Sequence, residues 1–171
     1  MVNKDELLCV VDEHDVPITP VTRYDAFKKG LWRRTAHVWI INDKNQILCQ
    51  QRSLKKDMSP GMWEPSIGGH LSPEDNYFTG AVREVREETG LPIETHHLNL
   101  LKIYKSDEYR EYRGIFYCKW NVNLKEIKIE EDEVEKVEFI DLETVKNHIM
   151  YRKSKSWFSP DYAKEMFSAL K

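Results

Sequence analysis

One stretch of this 171-residue chain, Asp75 to Thr89, constrains the fold more than any other, because two chemically opposed faces share it. Apolar residues recur at helical spacing, Gly90 stands just past the end and Pro92 follows, so the sequence predicts a helix from Asp75 to Thr89. At about 100° per residue, Val82, Val85 and Thr89 fall within roughly 40° of Phe78, with Ala81 beside them. That stripe is expected to face a core. Counted from Phe78 on the same wheel, Glu87, Glu84 and Glu88 fall at roughly 180°, 240° and 280°, a second face made of carboxylates.

Three acidic groups this close weaken a helix by a few tenths of a kcal/mol per pair unless a cation neutralises them. A divalent metal does so, because hard cations take oxygen ligands and Mg2+ is commonly held by a few carboxylates together with substrate phosphates. A solvated acidic face is the alternative reading of the same glutamates. Before the helix stands Ser66-Ile67-Gly68-Gly69-His70, where paired glycines let backbone approach a ligand with no Cβ in the way.

Elsewhere, Leu7 to Val11 reads as a strand and Thr22 to Lys29 as a short helix stopped by Gly30. His37 to Ile41 and Ile47 to Gln51 flank the turn-rich Asn42-Asp43-Lys44-Asn45 and predict a hairpin. Ser53 to Pro73, punctuated by Pro and Gly, is predicted to be a loop. Strands are expected over Leu98 to Ser106, Gly114 to Val122 and Val134 to Ile140. Two helices close the chain, one over Leu142 to Met150 and one beginning at Ser159-Pro160. With no repeat, low-complexity tract or Gly/Ser linker, residues 1–171 read as one domain. Its class is α/β of the α+β type, a mixed, mainly antiparallel sheet flanked by helices.

A chain of this length buries roughly 70% of its unfolded surface. Its 40% hydrophobic and 11% aromatic residues exceed what a disordered chain carries. Lys and Arg number 26 against 29 Asp and Glu, a net charge of −3, which excludes a strongly basic chain that binds nucleic acid polymers by counting phosphates. No apolar run approaches the roughly 18 residues of a membrane span, and the run behind the polar N-terminus is too short for a signal peptide. Cys9, Cys49 and Cys118, odd in number and far apart in apolar stretches, read as reduced core thiols. A soluble, cytoplasmic protein acting on a small molecule is expected.

From Gly69 there follow five residues, Asp75, seven more, and then Arg83-Glu84-Val85-Arg86-Glu87-Glu88-Thr89-Gly90-Leu91. This resembles the Nudix box: Gly, five residues, Glu, seven residues, then Arg-Glu-apolar-any-Glu-Glu-any-Gly-apolar. Every fixed position matches except the first acid, where Asp75 keeps the charge with one methylene less reach. The resemblance implies the Nudix fold and cleavage of a diphosphate linkage in a nucleoside diphosphate derivative or similar small phosphorylated molecule, with Mg2+ or Mn2+ as cofactor. It implies that Glu84, Glu87 and Glu88 are metal ligands, with the Gly69 carbonyl a further one, and that Arg83 orients the glutamates through charge-assisted hydrogen bonds. The box leaves the general base open between Glu84 and an acid from a distant loop. Glu133, in the run Glu130-Glu131-Asp132-Glu133, is the loop candidate, a solvated charge run being the alternative.

Leu48 to Ser53, Lys55 to Trp63 with its Lys-x-x-x-Pro-Gly-x-Trp arrangement, Gly69-His70 and Trp157-Phe158-Ser159-Pro160 are similar to type I isopentenyl-diphosphate isomerases, which share the fold but transfer protons. The catalytic cysteine of that branch corresponds to Gly68, and its two upstream metal histidines fall near Ala26 and Arg33. Of its later pair of glutamates, Glu111 is present and Arg113 stands at the second position. Hydrolysis is therefore the leading expectation, with an isomerase-like activity or a noncatalytic nucleotide-binding domain as alternatives.

Arg52, Lys55 and His70 are expected to bind substrate. Arg52 and Lys55, with Lys56, would steer an anion, and His70 would point from the glycine pair into the site to touch phosphate or metal. His37, among apolar neighbours, reads as a hydrogen-bonded core histidine, Trp63 as a core cap or a stacking surface, and Cys118 as packing.

Overall fold

The computed structural model describes residues 3–56, 59–151 and 156–170. Cys9 divides the first expected strand into β1 (Leu7–Leu8) and β2 (Val10–Val11), which serve different sheets. β1 pairs with β3 (Val21–Thr22), and the Thr22 hydroxyl caps α1 (Arg23–Lys28) by accepting from the Asp25 amide at 3.2 Å. Next come β4 (Trp32–Ile41), β5 (Gln46–Arg52), β6 (Trp63–Glu64), β7 (Ile67–His70) and α2 (Tyr77–Thr89). The second half supplies β8 (Asn99–Ser106), β9 (Glu111–Lys119), β10 (Val134–Asp141), α3 (Leu142–Met150) and α4 (Ala163–Ala169).

The main sheet has the order β10-β5-β4-β9-β8, with β2 and β7 attached to β4 and β6 to β5. β4 and β9 run parallel and the other strand pairings are antiparallel, which makes the sheet mixed and mainly antiparallel. Helices cover both faces of central β4, and this double burial explains the unbroken apolar run from Val38 to Ile41. Ala36, Val38 and Ile40 join Val85 of α2 and Phe116 of β9 in one core. Trp39 joins Ile115, Val145 of α3 and Phe167 of α4 in the other. Among the described residues no helix is long and apolar enough to cross a membrane.

The expected hairpin is present, with Ile41 opposite Ile47, but β5 pairs with β4 only at that end. From Val38↔Ile67 to Thr35↔His70 the partner of β4 is β7. The loop expected from Ser53 to Pro73 is thereby corrected, since it holds both β6 and β7; its residues 57 and 58 lie outside the described residues. Paired glycines hide β7 in the sequence because Gly weakens strand propensity, whereas β4 supplies the row of partners that forms it. The last helix also starts later than Ser159-Pro160: Pro160 accepts from the Ala163 amide at 3.0 Å in a turn ahead of α4.

α2 begins at Tyr77 behind its cap Asn76, not at Asp75. The Asn76 side chain accepts from the Phe78 and Thr79 amides, Thr79 Oγ1 accepts from the Asn76 amide, and Gly90 closes the helix at φ 69°. The buried face differs from the expected stripe. Tyr77, Gly80, Ala81, Glu84, Val85, Glu88 and Thr89 are buried, while Phe78 and Val82 are partly buried. Gly80 turns the helix this way, for a Cβ there would meet Leu71 Cγ at 2.6 Å. Close approach on that side carries two of the three glutamates inward.

Candidate active site

Arg83 occupies the centre of the acidic face. Asp75 Oδ2, left ahead of the helix cap, accepts from Arg83 Nε at 3.0 Å and from Nη2 at 2.9 Å, and from the Ser72 amide at 3.0 Å. Arg83 Nη1 donates to Glu84 Oε1 and to Glu87 Oε2, both at 2.9 Å, and Nη2 donates to the His70 carbonyl at 2.9 Å. One guanidinium thus ties the strand before the helix to two carboxylates on it.

Glu87 is exposed, whereas Glu84 and Glu88 are 9% and 8% exposed. Burial pushes the Glu84 carboxyl up to about 7, with Glu87 adding to the rise and Arg83 opposing it. Burial raises Glu88 well above the usual carboxylate range, and the charges of Glu84, Glu64 and Glu133 act in the same direction. Gln50 Nε2 donates to Glu88 Oε2 at 3.1 Å and to the Ser66 carbonyl at 2.9 Å. Gly69 lies directly against Glu84: a Cβ there would stand 2.6 Å from Oε2, so any side chain at this position would push the carboxylate aside.

Among the described residues, no three His, Cys, Asp or Glu side chains converge closely enough to hold a metal ion as they stand. Glu84 and Glu87 turn to Arg83, and Glu88 turns to Gln50. The chemistry of the donor set nevertheless fits a hard divalent cation. It consists of carboxylate oxygens, and buried Glu88 is met by a neutral amide rather than by a cation.

The cations expected to steer substrate are engaged with carboxylates. Arg52 pairs with Glu64 at 3.2 Å, Lys55 with Asp132 at 2.6 Å, and Lys56 with Glu133. Lys55 and Lys56 thereby reach Asp132 and Glu133 of the acidic run, whose Glu130, Glu131 and Asp132 are exposed, and the Ser53 amide donates to the Glu133 carbonyl at 2.9 Å. His70 differs from expectation. Gly69 faces Glu84, so the next residue along β7 points to the other face of the sheet, where its ring meets Phe27 at 5.6 Å. Burial and the nearby Arg23 and Arg33 charges hold that imidazole well below its usual range.

His37 is a hydrogen-bonded core histidine, with Nδ1 2.7 Å from Tyr162 Oη, and burial holds it down at about 3. Trp63 stacks on Trp157 at 5.8 Å with Lys136 over its ring at 4.9 Å. Cys118 is buried and pushed up to about 12 by that burial, as a packing thiol should be. Gly68 adopts φ 155°, where a Cβ would lie 1.9 Å from the Ala36 carbonyl oxygen, so this backbone has no room for a cysteine.

Two residues of the site escape the sequence reading. Glu64 directs its charge at Glu88, and Gln50 orients Glu88 directly. A polar residue directly after the apolar run from Ile47 to Cys49, still within the expected strand, was the available signal for Gln50; nothing local marks Glu64.

An arginine-centred carboxylate helix packed under a diglycine strand, on a mixed sheet between helices, defines the class of fold. It is similar to the crystal structure of a Deinococcus radiodurans protein, with a TM-score of 0.72, 17% identity, and coverage of 96% of this chain and 99% of that one. The NUDIX domain profile matches residues 31–162, and the chain belongs to this family of Nudix hydrolases. An uncharacterized Nudix hydrolase of Clostridium acetobutylicum is 27% identical over 77% of this chain and 68% of its own length. Isopentenyl-diphosphate Delta-isomerase 2 of Photorhabdus laumondii is 34% identical over 50% of this chain, which spans about half (51%) of that protein.

Proposed function

We propose that this chain hydrolyses a diphosphate linkage in a nucleoside diphosphate derivative or a similar small phosphorylated molecule, with Mg2+ or Mn2+ as cofactor. The observation that carries the reading is the Arg83 hub, which holds Asp75, Glu84, Glu87 and the His70 carbonyl in one hydrogen-bonded unit. Glu84, Glu87 and Glu88 would hold the ion, with the Gly69 carbonyl beside them. Such an ion supplies charge neutralisation at diphosphate oxygens and a lowered pKa for the attacking water.

The remaining tasks belong to the chain. Arg83 fixes the direction of Glu84 and Glu87, and Gln50 fixes that of Glu88. Arg52 and Lys55 meet the anionic substrate by exchanging their carboxylate partners for phosphate oxygens. Glu133, held by Lys56, takes the proton of the attacking water, with Glu84 as the other candidate for that role.

Similarity to isomerases gives the alternative, proton transfer on a prenyl diphosphate. Gly68 stands against it, because the position has neither a side chain nor space for one. The test is a screen of nucleotide sugars, dinucleoside polyphosphates, nucleoside triphosphates and prenyl diphosphates with Mg2+ or Mn2+, read by mass. Metal-dependent cleavage of one class is expected. Solvent deuterium entering isopentenyl diphosphate without cleavage would instead establish the isomerase activity.

A further inference from the structure

Two adjacent lysines after β5 meet the acidic run in different ways. Lys55, with a side chain 62% exposed, reaches Asp132 from the surface. Lys56, with a side chain only 15% exposed, sets its ammonium against Glu133. Backbone bonds hold that arrangement: the Ser53 carbonyl accepts from the Lys56 amide at 3.2 Å, and the Ser53 amide donates to the Glu133 carbonyl at 2.9 Å. Ser53 thus ties both partners of the ion pair to the end of β5. A lysine is seldom buried this far unless its charge is matched.

The charge of Lys56 reaches beyond Glu133. With Arg52 it acts on Glu64, and Glu64 and Glu133 in turn both act on Glu88. Glu64 stands opposite Gln50 across β5 and β6, so it shares the sheet face on which Gln50 meets Glu88 of α2. The carboxylates on this face therefore fall into two groups, each with its own cations. Arg83 serves Asp75, Glu84 and Glu87, while Arg52 serves Glu64 and Lys56 serves Glu133. Glu88 stands between the groups and meets the neutral Gln50 amide.

We propose that Lys56 is a built-in counter-cation that takes the place of a second divalent ion beside Glu133 and Glu64, so that the chain binds one Mg2+ or Mn2+, at Glu84, Glu87 and Glu88. An ammonium supplies positive charge and donated hydrogen bonds without coordinating the carboxylate. It therefore keeps Glu133 ionised and aimed, as a proton acceptor must be, whereas a metal ion would occupy the lone pair that takes the proton. Exposed Lys55 can leave Asp132 for a substrate phosphate; Lys56 stays with its carboxylate. The inference rests on the hydrolase reading in taking the α2 glutamates as the ion site. It adds the stoichiometry of one ion and one lysine.

The test counts Mn2+ bound by the full chain without substrate, from the electron paramagnetic resonance signal of unbound Mn2+. Wild type should bind one ion, and Lys56→Arg, which keeps the charge, should also bind one. Lys56→Met uncovers Glu133 and Glu64 and should bind two, and adding Glu133→Gln to it should restore one. Lys56→Gln, uncharged but polar, repeats the count if circular dichroism shows that Lys56→Met has lost its fold. Two ions on wild type, one on the uncharged variants, or two on the double variant overturns the proposal. Wild type that binds no Mn2+ overturns the metal-dependent hydrolase reading and the proposal together. An inactive diphosphate screen beside counts of one for wild type and two for Lys56→Met rejects hydrolysis alone, and an active hydrolase with two ions on wild type rejects the role of Lys56 alone.

Discussion

Asp75 Oδ2 accepts two hydrogen bonds from Arg83, from Nε at 3.0 Å and from Nη2 at 2.9 Å. The acid one methylene shorter than the glutamate of the family pattern therefore acts here on the arginine that directs Glu84 and Glu87. A charge-assisted bond of this kind contributes about 1.5–3 kcal/mol. Asp75→Asn should lower kcat/KM by roughly 10- to 100-fold while the metal concentration for half-maximal activity changes little, and Asp75→Glu should stay within about threefold of wild type. If Asp75→Asn instead shifts the metal titration by as much as the rate falls, Asp75 is a ligand and not a support for Arg83.

The two adjacent glycines should respond oppositely to alanine. At Gly69 the added Cβ meets Glu84 Oε2 at 2.6 Å, the far end of a side chain that can swing away. Gly69→Ala should keep the fold and weaken Mg2+ or Mn2+ binding about tenfold or more. At Gly68 the Cβ would stand 1.9 Å from a backbone oxygen at φ 155°, so Gly68→Ala should destabilise the fold by about 3 kcal/mol or more. Urea denaturation and calorimetric metal titration of both variants check the pair, and equal losses of stability would contradict the distinction.

Stability of the metal-free protein should depend on pH through Glu84. Its folded-state value is raised to about 7, chiefly by burial, so the folded protein favours the protonated form. The contribution is complete below the unfolded value near 4.5 and is lost as pH rises through 7. Glu84→Gln carries no such charge. Relative to wild type in metal-free buffer it should gain up to about 3 kcal/mol between pH 4 and pH 8.5. Excess Mg2+ should reverse the gain at high pH, because the ion stabilises only the folded wild type. A stability difference that is constant across pH would show that Glu84 is not buried against its charge.

Local pattern made α2 legible: periodicity, Gly90 and Pro92 marked its extent, and the spacing from Gly69 to Leu91 marked its chemistry. Features that depend on distant partners were not legible. β7 exists because β4, about thirty residues earlier, pairs with it. Which helix face is buried followed from Gly80 against Leu71, a contact absent from any wheel. The direction of His70 followed from strand alternation once Gly69 was committed to Glu84. Arg33, Glu111 and Arg113, separate letters in two strands, become a cluster only through the parallel register of β4 and β9.

The base is the last point open to a direct measurement. Glu133 is clamped by Lys56 and its charge reaches Glu88, whereas Glu84 is committed to Arg83 and is expected to be a metal ligand. At saturating Mg2+ or Mn2+, Glu133→Gln should lower kcat by about 100-fold or more and leave KM nearly unchanged, because a base acts mainly in the transition state. Lys56→Met, which removes the clamp but keeps the carboxylate, should fall between this variant and wild type. Protons held by Glu84 at about 7 must leave before a cation can be bound there, so the wild-type rate at limiting metal should rise from pH 6 toward pH 8. A silent Glu133→Gln beside a severe Glu84→Gln, both at saturating metal, would move the base onto the helix. Near wild-type rates in both variants, with no dependence on pH, would leave the carboxylates without a part in catalysis.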